Sequence, residues 1–448
     1  MLGGGHQFPG SRFFMSMLKP FTNLRDHCKQ KAWNFFKVYV LGNSLSKRIF
    51  RGIVRKYYQR EIQDHIQKTK RKIKKRYKLQ LAEQRARIIR LEKEFQKIPL
   101  HRYGSMTPGR LDWESRWDRS PGSRILLYAL SDYSGSFLKW AEAINQYTNF
   151  AARLVTFEIH QFGYQVDLVL PYPDILNRSD FNQLAQEADV IHIKDESGFL
   201  YGSNRLPQDL LSRWDKPQVY TAYGGYTRKC AEDDKFRDYV RSFQARVAMT
   251  PDLNFDWFEG RFIPHAIDCN KYTYGWVDGN HLAHSPSNQE RKGTSDLQTA
   301  IEGLDLTFDL IHDVSHQECV ERKSKSNLFF DQAGQEIQAR LGVDTVIGWY
   351  GNSALEAAVF GIPTIAHLSE EAFEGAARAG RDIRKECAII NTPLGPEGIR
   401  ETIRNFLSLS KEERQELSRR TRTWIEHFHS YQACARELEK VYNAVLSK

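Results

Sequence analysis

From about residue 124 onward, short apolar runs alternate with turn-forming residues and with stretches of helical periodicity. The apolar run 124–130 ends at a turn of small and polar residues, and a helical stretch follows at 137–145. Further strand-like runs occur at 152–157, 167–170, 189–193, 218–222, 245–249 and 260–264. Strands that alternate with helices in this way predict a parallel, doubly wound α/β sheet.

The same pattern restarts after residue 268. Strand-like runs are found at 281–285, 306–311, 327–331, 345–348, 363–367 and 388–391, again with room for helices between them. Two successive halves of this kind predict two Rossmann-like domains with a ligand cleft at the carboxyl ends of their strands. The tail, 410–446, is predicted to be helical and to begin at a capping box formed by Ser410 and Glu413.

These patterns divide the chain into five segments. A basic, partly helical arm (1–100) and a linker rich in Pro and Gly (101–122) precede an α/β body. The body comprises a first Rossmann-like domain (123–265), a second (266–409) and the C-terminal helices (410–448). The fold class predicted is therefore α/β with two Rossmann-like domains.

Charge is distributed unevenly along the 448 residues. Residues 1–100 carry 25 Lys and Arg but 6 Asp and Glu, whereas the rest of the chain is mildly acidic. Basic and aromatic residues interleave between 32 and 60, and a basic helix is predicted over 61–98. Three hypotheses follow for 32–98: attachment to an anionic membrane surface, packing on the body or on a second copy, and nucleic-acid binding. Nucleic acid ranks lowest, because the body shows no nucleic-acid-binding motif.

The amino-acid composition excludes several other classes of protein. With 41% apolar and 27% charged residues the chain is neither disordered throughout nor a multi-span membrane protein. The six cysteines have no CxxC spacing, so neither a zinc site nor a disulfide framework is predicted, and a reducing compartment is expected. The first thirty residues lack a signal-peptide pattern. We therefore expect a cytoplasmic protein, with peripheral attachment at the inner face of the membrane as the variant.

The first constellation with chemical potential is Arg291-Lys292-Gly293-Thr294-Ser295, between a predicted strand and a helix. Thr294 or Ser295 can cap that helix, and two adjacent cations beside free amides suit a diphosphate. A solvated basic loop explains these five residues equally well.

The second constellation runs from Gly348 to Pro363, where a strand enters a loop (Gly351, Asn352, Ser353) and then a short helix. Glu356 has two competing interpretations. Ser353 and Glu356 have the spacing of a capping box, which local sequence favours. A carboxylate in a first helical turn can instead accept hydrogen bonds from two ribose hydroxyls.

Five segments taken in order resemble the GT-B glycosyltransferases of the glycogen-synthase-like, nucleotide-sugar-dependent group. The matching stretches are Asp189-Val-Ile-His-Ile-Lys-Asp195, Tyr223-Gly-Gly-Tyr-Thr-Arg228, Ile263-Pro-His-Ala-Ile-Asp268, His284 through Thr294, and Leu355-Glu-Ala-Ala-Val-Phe-Gly-Ile-Pro363. Each motif alone is weak, but their order and spacing extend from about residue 124 to 445. The resemblance implies a GT-B fold and transfer of a sugar from a nucleotide donor.

The resemblance also implies roles for the donor side. Lys292, with Arg291, would neutralise the donor diphosphate as it leaves, and Glu356 would bind the donor ribose. Donor-binding positions are completed by Gly293, Gly351, Asn352 and Ser353. Neither a cofactor nor a metal is expected, since fixed cations can stabilise the leaving diphosphate and no Asp-x-Asp motif is present.

On the acceptor side, the predicted loops contain Asp132, Gly135, Gly224, Gly225 and Arg228. Lys194 stands where the family often has a histidine beside the reacting sugar, which makes it a catalytic candidate. His192 is interpreted as a core histidine that points away from Lys194.

One departure from the family concerns the donor sugar. The family has a further glutamate eight positions before the ribose-binding one, and here that position is Gly348. Asp331 is the predicted substitute. The catalytic candidates are therefore Lys292, Arg291, Lys194 and Asp331.

The leading functional hypothesis is a metal-independent glycosyltransferase that acts on a glycan or lipid-linked acceptor in glycan or envelope polysaccharide synthesis. Alternatives are a GT-B protein that binds nucleotide or sugar without turnover, a related epimerase or phosphorylase, and nucleic-acid binding through the arm. His427 and His429 are not expected to form a metal site, because residues two apart on a helix do not share a face.

Overall fold

The computed structural model describes residues 117–118, 123–130, 132–156, 164, 166–169, 179–194, 215–333 and 348–447. All of them belong to one of the two units into which the chain divides, Leu100–Lys448. The predicted arm, its basic helix and the stretch 32–98 lie outside the described residues, as do residues 345–347 of one predicted strand.

The first half of the body is a parallel sheet with strand order β3-β2-β1-β4-β5-β6-β7. Its strands are β1 (Arg124–Ala129), β2 (Ala151–Thr156), β3 (Leu168–Val169), β4 (Val190–Lys194), β5 (Gln218–Ala222), β6 (Ala245–Ala248) and β7 (Arg261–Phe262). The strand order reverses direction between β1 and β4. Ligands of open α/β sheets bind at such a switch point, outside the carboxyl ends of the strands.

Helices cover both faces of this sheet. They are α1 (Ser136–Tyr147), α2 (Ser179–Glu187), α3 (Gly224–Cys230) and α4 (Asp234–Arg241). The strands are buried on both faces, which explains their nearly continuous apolar runs. Trp117, which lies in the predicted linker, is fully buried in the core on one of these faces.

The second half is a smaller parallel sheet with strand order β12-β11-β10-β8-β9. Its strands are β8 (His281–His284), β9 (Thr307–Leu310), β10 (Leu328–Gln332), β11 (Thr364–Ala366) and β12 (Ile390–Asn391). Its helices are α5 (Gln289–Lys292), α6 (Thr294–Ile301), α7 (His316–Lys323), α8 (Asn352–Ala358), α9 (Glu370–Arg378), α10 (Ile383–Glu386) and α11 (Gly395–Ser408). Here the switch point lies between β8 and β10.

The helical tail is shared between the halves. Helix α12 (Lys411–Phe428) begins at the predicted capping box of Ser410 and Glu413 and packs on the second half. Helix α13 (Tyr431–Leu446) crosses back and packs on the first half, where the Tyr442 hydroxyl lies 2.8 Å from His192 Nδ1. The tail therefore ties the two halves together.

The halves also touch directly. Asn254 Nδ2 donates to the Gly375 carbonyl at 2.9 Å, and a Cβ at Gly375 would lie 1.9 Å from the Pro251 carbonyl oxygen, so only glycine permits this approach. At the carboxyl edges of the sheets, Asn352 Nδ2 donates to the Ser134 carbonyl at 2.6 Å. Within the described part of the chain, no helix combines the length and apolar character needed to cross a membrane.

Candidate functional site

Lys292 is held at the switch point of the second sheet by the chain that follows β8. The Asn288 side chain accepts from the Arg291 amide and starts the single turn of α5. Gly293 then adopts φ +74°, and a Cβ there would lie 2.3 Å from Ala333 Cβ, so glycine is required. The chain reverses at this glycine, and the Lys292 side chain is directed at the end of β10.

The predicted caps of the next helix are wrong. Helix α6 begins after Gly293 without any side-chain cap. Thr294 instead lies beside buried His284, with Oγ1 2.9 Å from Nε2. Arg291 is exposed, so of the two adjacent cations Lys292 is the one that enters the site.

Lys292 lies against the end of β10 and the loop before α8. Its Nζ is 3.3 Å from Asp331 Oδ1 and 2.8 Å from Gln332 Oε1. The Gly351 amide donates to the other Asp331 oxygen at 2.7 Å. The structure thus brings together Lys292, Asp331 and Gly351, three residues that the sequence nominated separately.

Ser353 does not form the capping box that local sequence favoured. The N-cap of α8 is Gly351, and no side chain caps this helix. Ser353 Oγ lies 2.6 Å from Ser285 Oγ and accepts a hydrogen bond from Lys323 Nζ at 2.8 Å. The capping interpretation of Glu356 is therefore wrong, because Ser353 is occupied elsewhere.

Both carboxylate oxygens of Glu356 accept hydrogen bonds. Lys323 Nζ lies 2.6 Å from Oε2, and His316 Nε2 lies 2.8 Å from Oε1. Burial alone would raise the pKa of this carboxyl. The charge of Lys323, the hydrogen bond from His316 and the charge of Lys139 outweigh burial and lower the pKa below its ordinary value of 4.5. Glu356 is therefore a fixed anion, with lone pairs left for other donors.

On the first-half side, Lys194 and Asp132 form a buried ion pair. Lys194 Nζ lies 2.6 Å from Asp132 Oδ1 and 2.7 Å from Ser136 Oγ. Asp132 also accepts from the amides of Phe137 and Leu138, both at 3.0 Å. Asp132 and Lys194 therefore organise the turn at the start of α1.

Gly135 completes this turn. It has φ +61°, and a Cβ there would lie 2.6 Å from the ring of Tyr164. Tyr164 in turn lies edge-on to His316 across the site, with ring centroids 6.4 Å apart. The turn that Asp132 and Lys194 organise therefore faces the second half near Glu356.

His192 is a satisfied core histidine, as predicted. Nδ1 contacts the Tyr442 hydroxyl at 2.8 Å and Nε2 contacts Thr221 Oγ1 at 2.6 Å, while burial lowers the pKa of His192 to about 3. The expectation that it points away from Lys194 is wrong. Both side chains lie beside Phe137, because residues two apart on a strand share a face.

The other predicted acceptor-side residues follow β5. Gly224 has φ +74° at the start of α3, and Gly225 is in the same turn. Arg228 Nε donates to Asp252 Oδ2 at 2.5 Å, which ties α3 to the chain after β6. This pair gives Arg228 a role in holding that segment in place.

Sequence reasoning missed Lys323, His316, Tyr164 and Lys139. Lys323 lies in a run of charged residues on α7, a pattern typical of a solvated helix face, yet its side chain is 1% exposed. No local signal distinguishes it from its neighbours. Its importance follows only from the proximity of Glu356.

Solved structures of similar fold include two of an alpha-glucosyltransferase. One is in complex with UDP-glucose and DNA containing an abasic site; it is 11% identical with a TM-score of 0.50, and the match covers 71% of this chain and 99% of that one. The other, in complex with UDP and a 13-mer DNA containing a central A:G mismatch, gives the same four values. The chain has the GT-B fold. No protein-family model matches the sequence, and no curated protein does.

The GT-B fold confirms the prediction of two Rossmann-like domains separated by a cleft. The structure also explains why the second glutamate of the family is absent at position 348. A Cβ at this position would lie 2.2 Å from Ser369 Cβ and 2.9 Å from the Ser369 backbone nitrogen. A carboxylate cannot occupy position 348 unless this backbone moves.

Among the described residues, no group of three His, Cys, Asp or Glu side chains could hold a metal ion. The two histidines of the tail are used differently. His429 is buried, with its ring nitrogens 2.7 Å from the His265 carbonyl and 2.9 Å from the Tyr350 hydroxyl. His427 Nδ1 lies 2.9 Å from the Thr423 carbonyl on its own helix.

Proposed function

We propose that this protein is a glycosyltransferase that moves a sugar from a nucleotide-sugar donor to an acceptor without a metal ion. The observation that carries the proposal is the position of Lys292 at the switch point of the second sheet, beside Asp331 and Gly351. A leaving nucleoside diphosphate develops negative charge, and a fixed cation can stabilise that charge. Lys292 supplies this cation, and Glu356 accepts hydrogen bonds from the donor ribose.

Asp331 takes the role of the carboxylate that Gly348 cannot supply. It is buried, its oxygens contact Lys292 and the Gly351 amide, and it lies one residue before the end of β10, the strand next to β8. The sugar of a donor whose diphosphate lies against Lys292 would be near these groups. Arg291, Gly293, Asn352 and Ser353 remain proposed donor contacts.

The test has two stages and uses full-length protein. Nucleoside diphosphates and their sugars are first screened by thermal shift, starting with UDP and UDP-glucose, which the glucosyltransferase structures of the same fold contain. A ligand at 100 times its Kd stabilises the folded state by about 2.7 kcal/mol. Donor hydrolysis is then measured for each nucleotide sugar that binds. A protein that no nucleotide stabilises would contradict the proposal.

A second candidate is a GT-B protein that binds its nucleotide without turnover. The closed space at Gly348 favours it, because the family carboxylate has no place there. Tight nucleotide binding by wild-type protein, with neither donor hydrolysis nor transfer to any acceptor, would support this candidate.

The acceptor and the basic arm form a separate part of the proposal. A lipid-linked or envelope acceptor would place the enzyme at the inner face of a membrane, with residues 32–98 on anionic headgroups; each well-placed cation contributes about 1 kcal/mol. Full-length protein is sedimented with anionic and with neutral vesicles at low and high salt. Residues 70–76 contain six Lys and Arg. A variant with these six changed to Gln serves as the control.

We expect binding to anionic vesicles that falls with salt and falls in the variant. Equal sedimentation with neutral vesicles, or none with anionic ones, would contradict membrane attachment. Competition by duplex DNA would favour the nucleic-acid hypothesis for the arm.

A further inference from the structure

Lys323, the last residue of α7, is a buried cation that donates to two acceptors on α8. Its side chain is 1% exposed, and its ammonium lies 2.6 Å from Glu356 Oε2 and 2.8 Å from Ser353 Oγ. The ring of Phe329 on β10 packs against the ammonium, with its centroid 5.3 Å from Nζ. Lysine is almost never fully buried unless it is paired. The two acceptors on α8 therefore account for its burial and fix the position of its charge.

The same ammonium joins three segments of the second half. Ser353 and Glu356 lie one turn apart on α8 and so share a face of that helix. Ser353 Oγ is also 2.6 Å from Ser285 Oγ, and Ser285 directly follows β8. Lys323 itself ends α7. The position of the first turn of α8 relative to β8 and α7 therefore depends on this one charge.

Helix α7 holds the Glu356 carboxylate from both of its ends. Its first residue, His316, places Nε2 2.8 Å from Oε1, while its last residue, Lys323, contacts Oε2. The His316 side chain is 39% exposed, so water competes for its hydrogen bond. Burial would raise the pKa of Glu356, and the charge of Lys323 is the largest of the effects that lower it. Lys323 is therefore the main constraint on this carboxylate.

The Glu356 carboxylate retains acceptor sites of its own. Its two oxygens offer about four lone-pair directions, of which Lys323 and His316 each use one. The side chain is 12% exposed, and both of its oxygens are already held in place. The two adjacent hydroxyls of a ribose can therefore bind it without the entropic cost of ordering a flexible side chain.

We propose that Lys323 is a positioning residue that gives the donor site its selectivity for ribonucleotides. It holds the Glu356 carboxylate in the orientation that accepts both ribose hydroxyls, and it acts on the donor only through Glu356. Without Lys323 the carboxylate keeps only its bond from His316 and has to be ordered each time a nucleotide binds. The inference rests on the proposed function, in which Glu356 binds the donor ribose.

The test compares the affinities for UDP and for dideoxy-UDP, which lacks both ribose hydroxyls. Titration calorimetry gives both Kd values for full-length wild type, Lys323→Met, Glu356→Gln and the double variant. Lys325→Met is the matched control, because Lys325 is an exposed lysine two positions away that pairs with Glu321. The readout is the ratio of the two Kd values, since a general loss of folding weakens both ligands alike. If the screen selects another nucleoside diphosphate, it and its dideoxy analogue replace this pair.

Wild type is expected to bind UDP at least about tenfold more tightly than dideoxy-UDP, because the hydroxyls donate to a charged group. In Lys323→Met this ratio should fall about threefold or more, since the side chain of Glu356 must then be ordered on binding. Lys325→Met should keep the wild-type ratio. The double variant and Glu356→Gln should share one ratio, because Lys323 acts only through the carboxylate.

A wild-type ratio in Lys323→Met would overturn the inference, as would a ratio in the double variant that differs from that of Glu356→Gln. The second comparison does not require Lys323→Met to fold, since the double variant contains no unpaired buried charge. Failure of the proposed function has a different signature. Wild type then binds no nucleoside diphosphate, or binds UDP and dideoxy-UDP equally, and either result overturns the inference as well.

Discussion

The two halves of the molecule each place a lysine at the switch point of a parallel sheet, but in different environments. Lys194, at the end of β4, has a fully buried side chain enclosed by Asp132 and Ser136. Lys292, after β8, keeps 19% of its side chain exposed while it contacts Asp331. Similar topology has thus produced one lysine enclosed by the fold and one that remains accessible.

The difference in exposure corresponds to two different roles, one structural for Lys194 and one in the proposed ligand contact for Lys292. Lys194 neutralises the carboxylate that accepts the first amides of α1, so its charge is used within the protein. Lys292 lies at an open edge, where a diphosphate can still reach it. Lys194 therefore acts on the candidate site by positioning the turn at Gly135, whereas Lys292 is the proposed contact with the leaving group.

The largest expected effect comes from Lys194→Met. This change leaves Asp132 buried without its cation, and breaking a buried pair costs about 3–5 kcal/mol. Denaturant unfolding measures the loss. The double variant Lys194→Met/Asp132→Asn should recover part of the stability, because no unpaired charge remains. A loss below about 1 kcal/mol in the single variant would show that the two lysines do not differ in this way.

Lys292→Ala is expected to lower donor turnover far more than it lowers the free energy of unfolding. Donor turnover should fall about a hundredfold or more, since one charge-stabilising group is lost. The free energy of unfolding should fall by less than in Lys194→Met, because Lys292 keeps 19% of its side chain exposed and the Gly351 amide still donates to Asp331. Turnover at saturating donor and denaturant unfolding are compared for the same preparation. Arg291→Ala, at an exposed neighbour, should have a smaller effect on turnover. Unchanged turnover in Lys292→Ala would remove Lys292 from the site.

Glu356 is expected to contribute both to stability and to donor binding, and Glu356→Gln tests both contributions. Hydrogen bonds to charged groups contribute about 1.5–3 kcal/mol, so weakening those from Lys323 and His316 should lower the free energy of unfolding by an amount in this range. The donor KM should also rise, because a neutral amide accepts ribose hydroxyls less strongly. Reduced stability with an unchanged donor KM would leave Glu356 a purely structural role.

The smallest effect is a pH dependence of the same variant. The folded-state pKa of Glu356 is lowered below 4.5, so its contribution to stability is fully present above that value and is lost as pH falls through the folded pKa. The difference in unfolding free energy between wild type and Glu356→Gln should therefore shrink below about pH 4.5. Urea unfolding at several pH values measures it, and a difference that is constant down to pH 3 would argue against the lowered pKa.

Much of the fold could be predicted because its signals are local. Apolar runs of four to six residues, the glycine at position 293 and the capping box at Ser410 report on their own segments, and the strands were found within a few residues of their observed limits. The course of α13 could not be predicted. Its apolar face packs on the first sheet, where Tyr442 contacts His192, a residue 250 positions away.

In the candidate site, too, some features could be predicted from the sequence and others could not. The amino-acid sequence by itself identified Lys292, Gly293 and Glu356 as candidates, because turn chemistry and motif spacing mark them. Tertiary structure alone decided that Lys194 pairs with a residue 62 positions away and that Glu356 pairs with a lysine 33 positions away. Charge pairing depends on distance in space. The residues next to a lysine in the sequence therefore do not show whether its ammonium is solvent-exposed or paired with a carboxylate.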